Sequence, residues 1–211
     1  GSGKSTIIKL LNRFYELDSG SIYIDSVNVK DYSISSLRNN IGFVSQDIHL
    51  FSDTILNNIT LQNNNISFLR VKDAAKDIEL DEFISSLPDG YNYHVKERGA
   101  GLSTGQRQLI SFLRAYLKDP QILVLDEATS SIDSDSELLI QKATEKITEN
   151  RTSIIIAHRL STIMNADNII VMDSGKIVEI GSHIDLLKNV NGHYQKLYYA
   201  QLKKEKSFEL D

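Results

Sequence analysis

The chain has 211 residues, 41% of them hydrophobic, a formal net charge of -5 and no cysteine. That length supports one sizeable core, or one core with a lobe inserted into it, and argues against more than two domains. The acidic balance argues against a nucleic-acid partner, which needs a clustered basic excess, and the lack of cysteine excludes disulfides and thiolate metal sites.

At the start, "GSGKST" runs into Ile7, Ile8, Leu10, Leu11 and Phe14 at helical spacing, which predicts a helix ending near residues 17–20. "GSIYIDSV" alternates Ile22 and Ile24 and reads as a strand, and "NIGFVSQ" as another. From Asp53 to Pro120 the signals turn helical, through "DTILNNI", "FLRVKDAAKDI", "LDEFISSL" and a long segment over residues 103–118. "QILVLDEA" and "RTSIIIAH" are short apolar runs rich in Ile and Val, the pattern of parallel strands buried on both faces. Between them, "DSELLIQKATEKITE" sets Leu138, Leu139, Ala143 and Ile147 at helical spacing and completes a β-α-β unit, expected to be right-handed. "NIIVMDSGKIVEIGS" reads as two strands around a Ser174-Gly175 turn. "HIDLLKN" and "GHYQKLYYAQLKK" read as closing helices, with "KKEKSFELD" a solvated, frayed end. No apolar run approaches the roughly 20 residues of a membrane helix, so no direct membrane insertion is expected of this chain.

Three stretches carry chemistry. Aligned on G-x-x-x-x-G-K-[ST], residues Gly3, Lys4 and Ser5 are the last three positions, with Gly1 and Ser2 before them. The first glycine and two further positions of that pattern are absent. Glycines let backbone N–H groups converge on phosphate oxygens, a helix starting at Lys4 points its positive end at them, and the Ser5 hydroxyl suits Mg²⁺. "ILVLDEATSSID" puts Asp126 and Glu127 where a buried strand ends, a place where one carboxylate holds the water shell of Mg²⁺ and its neighbour polarises an attacking water. "LSTGQRQLISFLRAYL" pairs Ser103 with Gln106 in a capping-box pattern above a Leu109, Leu113, Leu117 stripe. A capped helix packed on the core accounts for that pattern, and the same helix start also suits an anion.

Taken in order, "GSGKST", Gln46 in "FVSQD", "LSTGQ", "LVLDEA", "SSID" and His158 in "IIAHR" resemble the motif series of ATP-binding-cassette (ABC) nucleotide-binding domains over nearly the whole chain. "LPDGYNYHVKERG" resembles the segment before the signature in exporter-type cassettes. The resemblance implies an α/β fold: a P-loop NTPase, ABC-type core with a mostly parallel sheet (1–48 and 119–211) and an inserted α-helical signature subdomain (49–118), together one nucleotide-binding domain. It implies ATP and Mg²⁺ as ligands. Gly1, Ser2, Gly3, Lys4, Ser5 and Thr6 would meet the phosphates, and Ser5, Gln46 and Asp126 the metal. Glu127 would act as general base, His158 would hold the γ-phosphate, and Gln46 would sense metal and attacking water. Ser103, Gly105 and Gln106 would contact ATP on an opposite cassette, Asp133 would link the two sites, and Glu97 would communicate with the membrane domain. The signature departs from the commonest form at Thr104, where glycine prevails.

The implied activity is ATP hydrolysis that powers export of an unidentified substrate at the cytoplasmic face of a membrane. The implied partners are a second cassette, identical or different, and a transmembrane domain absent from this chain. The alternatives are a weakly hydrolysing or non-hydrolysing cassette of a heterodimeric exporter, and an ABC ATPase with no transport role. Because the chain starts inside the phosphate loop, the family's N-terminal strands and its adenine-stacking aromatic residue are expected upstream. The 211-residue chain alone is then expected to expose a central strand edge and to bind ATP poorly.

Overall fold

The computed structural model describes residues 2–126, 134–157 and 160–208. Among these, in chain order, run helix α1 (Lys4–Leu11), strands β1 (Tyr23–Ile24) and β2 (Val27–Asn28), helix α2 (Ile34–Asn40), strand β3 (Ile41–Val44), and helices α3 (Ile55–Thr60), α4 (Phe68–Asp77), α5 (Asp81–Ser86) and α6 (Thr104–Leu117). Strand β4 (Ile122–Asp126), helix α7 (Ser134–Thr148), strand β5 (Thr152–Ile156), helix α8 (Leu160–Met164), the pair β6 (Ile169–Asp173) and β7 (Lys176–Gly181), and helices α9 (His183–Lys188) and α10 (His193–Phe208) follow. The chain divides into two compact units, Asp25–Ile155 and Gly1–Ile24 with Ile156–Asp211.

In the larger unit the strand order is β3-β4-β5, and β3 lies parallel to β4 with Ile41 opposite Ile122 and Val44 opposite Leu125. The α/β fold with a parallel sheet is thus as the sequence predicts. Leu123, Val124 and Leu125 are all buried, as a strand covered on both faces requires. β5 differs from that expectation. Thr152 and Ile154 are exposed, so its alternate positions are open on one face.

Four helix starts in this unit share one device. Ser33, Thr54, Ser67 and Ser103 each accept the backbone N–H three residues on, satisfying a donor that α2, α3, α4 and α6 would otherwise leave orphaned. Helix α6 packs against α3, α4 and α7, with Leu109, Ile110, Phe112 and Leu113 fully buried. Ile140, Ala143 and Ile147 supply the buried face of α7, whereas Leu138, expected on that face, is exposed. At the far end of α6, Lys118 Nζ donates to the carbonyls of Arg38 and Ile41, which fastens the helix end to the start of β3.

In the smaller unit α1 stops at Leu11, well before the predicted 17–20. Arg13 takes a left-handed φ of 50° while its N–H bonds the Leu10 carbonyl at 3.0 Å and the Phe14 N–H bonds the Lys9 carbonyl at 2.9 Å. This pair of bonds is a Schellman stop. It is hidden in the sequence because arginine, not glycine, occupies the left-handed position. β6 and β7 form the predicted antiparallel hairpin, with Ser174 and Gly175 both at positive φ in its turn. Val171, Leu186 and Tyr194 form the small core under it. Helix α10 continues to Phe208, further than the frayed end expected from "KKEKSFELD".

Candidate functional site

Helix α1 opens on Gly3, whose φ of 94° and ψ of 1° lie in the left-handed region. Its carbonyl accepts the N–H groups of Thr6 and Ile7 at 3.1 and 3.2 Å. A side chain at this φ would cost about 1–2 kcal/mol, so glycine is what the turn requires. Ser2, Gly3, Lys4, Ser5 and Thr6 line an open cavity of about 240 Å³. No acidic residue stands in the first turn of α1, and Lys4 is exposed with its Nζ donating to Ser2 Oγ at 2.8 Å. A helix N-terminus, a cation and hydroxyls without a carboxylate make a setting for an anion.

The hairpin turn backs this loop, which the sequence did not foretell. Gly175 N–H donates to the Ser2 carbonyl at 3.2 Å, and a Cβ placed on Gly3 would sit 3.5 Å from Gly175 Cα. The loop therefore rests on the β6–β7 turn, and Ser2 and Gly3 are set by a contact over 170 residues away in sequence.

In the larger unit, Gln46 lies two residues past β3 and Asp126 is the last residue of β4. With Val44 opposite Leu125 in a parallel pair, both sit at the carboxyl-end side of neighbouring strands, the side of an open α/β sheet that receives ligands. Gln46 is exposed and Asp126 half-buried. Their side-chain oxygens are the hard donors that Mg²⁺ takes. Ser5, the third predicted metal contact, belongs to the smaller unit. Gly1, Glu127, Asp133 and His158 lie outside the described residues.

The predicted signature is a capped helix start. Ser103 Oγ accepts the Gln106 N–H at 3.1 Å, and Gln106 Oε1 accepts the Ser103 N–H at 2.9 Å. Gly105 is buried while Ser103 is exposed. Thr104, the departure from the commonest signature, uses its hydroxyl to accept from Arg107 Nη2 at 3.0 Å, and Arg107 Nη1 donates to the Leu102 carbonyl at 2.8 Å. The segment before it is tied to the chain after Gln46: Thr54 and His94 form an antiparallel bridge, and Val95 N–H donates to the Asp53 carbonyl at 2.9 Å. Glu97 follows at once, exposed, at the start of a tight turn.

Sequence reading missed the side chains that shape the loop between Gln46 and α3. Asp53 accepts from Thr54 N–H, Asn57 Nδ2 and Gln62 Nε2 at 2.7, 2.8 and 2.9 Å. Those bonds, led by the Asn57 and Gln62 amides, hold its carboxyl below the usual range. A carboxyl lowered on folding stabilises the folded state above its unfolded pKa, and the gain is lost as pH falls through the folded value. Asp53→Asn is accordingly expected to lower the melting temperature at neutral pH and to matter less and less below about pH 4. Thermal unfolding of both proteins across that range checks it, and a deficit independent of pH would refute it.

The sequence pattern of the ABC transporter family matches residues 1–130. An ATP-dependent lipid A-core flippase of Legionella pneumophila (strain Paris) is 52% identical over 201 residues, covering 95% of this chain and 34% of the flippase. ABC transporter B family member 2 of Dictyostelium discoideum is 49% identical over 203 residues, covering 96% of this chain and 14% of that protein. The solved structure of a bacterial Atm1-family ABC exporter with ATP bound matches with a TM-score of 0.85 at 42% identity, over 95% of this chain and 35% of that one. The chain thus spans about a third or less of the length of these relatives.

Proposed function

Since this chain belongs to the ABC transporter family, we propose that it is the ATP-hydrolysing cassette of an exporter, working with a second cassette and a transmembrane domain at the cytoplasmic face of a membrane. The observation that carries the reading is the left-handed Gly3 turn opening onto α1, with Lys4 and the hydroxyl residues Ser2, Ser5 and Thr6 around one cavity. No helix among the described residues is long and apolar enough to cross a membrane.

In this reading Gly1, Ser2, Gly3, Lys4, Ser5 and Thr6 receive the phosphates, and Lys4 carries the charge that meets the β and γ groups. Ser5, Gln46 and Asp126 would hold Mg²⁺, whose chemistry is to neutralise charge developing on the phosphate oxygens. Glu127 takes a proton from water as the water oxygen attacks the γ-phosphorus; the bond to the bridging oxygen breaks, and ADP and phosphate leave. His158 steadies the γ-phosphate. Ser103, Gly105 and Gln106 engage ATP held by the second cassette, Asp133 joins the two sites, and closure of the pair pulls on the membrane domain. Whether the second cassette is identical or different, and what is exported, are properties of the whole transporter.

Lys4→Ala is the direct test. Losing charged hydrogen bonds of this kind is expected to weaken ATP binding about 10- to 100-fold. Nucleotide affinity and phosphate release, measured on the full-length protein with and without the substitution, check it. Equal affinity in the two proteins would overturn the phosphate-loop assignment.

A further inference from the structure

Arg114 sits on α6, eleven residues beyond Ser103 and so about 16 Å further along the helix. Its neighbours Leu113 and Leu117 are buried, and burial pushes its own ionisation down, with no carboxylate contributing. Its Nε donates to the Asn58 carbonyl at 2.9 Å and its Nη1 to the His49 carbonyl at 3.4 Å, while Nη2 is buried with no partner. Both acceptors are backbone oxygens of other elements. The Asn58 carbonyl is one of those that the last turn of α3 leaves without an intrahelical donor, so a cation there is favourable. Yet one buried nitrogen stays unmatched, and an apolar side chain of similar length would fill the position at no desolvation cost. Stability alone is a poor reason for this arginine.

What the guanidinium does and a hydrocarbon cannot is hold two separate backbone points at once. Asn58, fully buried, completes the hold. Its Oδ1 accepts the Phe51 N–H at 2.8 Å, and its Nδ2 donates to the carbonyls of Phe51 and Thr54, each at 3.0 Å. The amide thereby serves Phe51 as a neighbouring strand would. Through these two side chains the backbone at His49 and Phe51, a few residues past Gln46, is fixed to α3 and to α6.

We propose that Arg114 and Asn58 are positioning residues for ATP turnover: a strut that makes the loop following Gln46 and the helix starting at Ser103 move as one piece. The proposal rests on the ATPase reading above, in which Gln46 serves the cassette's own nucleotide and Ser103 the partner's. The strut then links the two sites inside one domain without touching either ligand.

The test uses Arg114→Met and Arg114→Lys in the full-length protein, with hydrogen exchange at the Phe51 amide and steady-state ATP hydrolysis as readouts. Arg114→Met is expected to keep the melting temperature within about 4 °C of the parent. Exchange at Phe51 should rise and kcat should fall, each about tenfold, with KM for ATP little changed. Arg114→Lys, which keeps the charge but not the fork, should fall between. Unchanged exchange and kcat in a folded Arg114→Met protein would overturn the proposal, as would losses of kcat that merely track lost stability in both variants. If Arg114→Met does not fold, Arg114→Lys decides by the same two readouts. Absence of ATP turnover in the parent protein would instead sink the ATPase reading, and the Phe51 exchange result would still judge the strut.

Discussion

Glu127→Gln is expected to slow ATP turnover by about 10²–10⁴-fold, the usual contribution of a positioned general base, while ATP-driven pairing of two cassettes persists. β4 is a buried apolar strand whose last residue is Asp126, at the ligand side of the sheet; the role of base is given to Glu127 by its place next in the motif series. An amide matches the carboxyl in size but takes no proton from water. The groups proposed to bind nucleotide, with Lys4 foremost, are untouched, so binding and closure should survive as chemistry stops. Phosphate release, with light scattering of the full-length protein or its cassettes with and without ATP, checks both halves. Undiminished hydrolysis would remove Glu127 from the role of base, and loss of pairing along with turnover would make it a binding residue instead.

Phe112→Ala is expected to cost about 3–5 kcal/mol of stability. Phe112 is completely buried on α6, the helix against which α3, α4 and α7 pack, so removing the ring opens a cavity in a close-packed core. For a chain of this size that loss corresponds to a fall of roughly 6–20 °C in melting temperature. Thermal or urea unfolding measures it. A fall of only a degree or two would mean that α6 repacks freely. The strut and the signature, which depend on one rigid helix, would then lose their physical basis.

The parts of the fold that could be read from the sequence are those set by signals within a few residues. The Ser103–Gln106 box, the Ser174-Gly175 turn and the unbroken apolar run of β4 all name their own structure, and all appear as read. The place of Asp126 at the end of β4 was likewise legible in its own run, whereas Gln46 stood out only by its place in the motif series. The misreadings have one cause. Helix α1 is stopped by Arg13 in a conformation its identity does not advertise, and Leu138 and Ile154 are exposed because of what does or does not lie over them. The hold on the loop after Gln46 escaped for the same reason: Arg114 and Asn58 each look like a polar interruption of an apolar helix face, and only long-range packing gives them acceptors. A polar residue where the helical period calls for an apolar one was the available signal.

Ser103 and Gln106 already answer each other's backbone N–H groups, so under the proposed pairing a phosphate brought to the start of α6 would find those two donors engaged. Docking on those two groups would be an exchange of acceptors, close to even in free energy. A contact of that kind breaks as readily as it forms. Under the proposed pairing, the Gly3 loop with its fixed cation retains the nucleotide, and α6 acts on the facing cassette as a latch with no spring: it stays shut only while something else presses it closed.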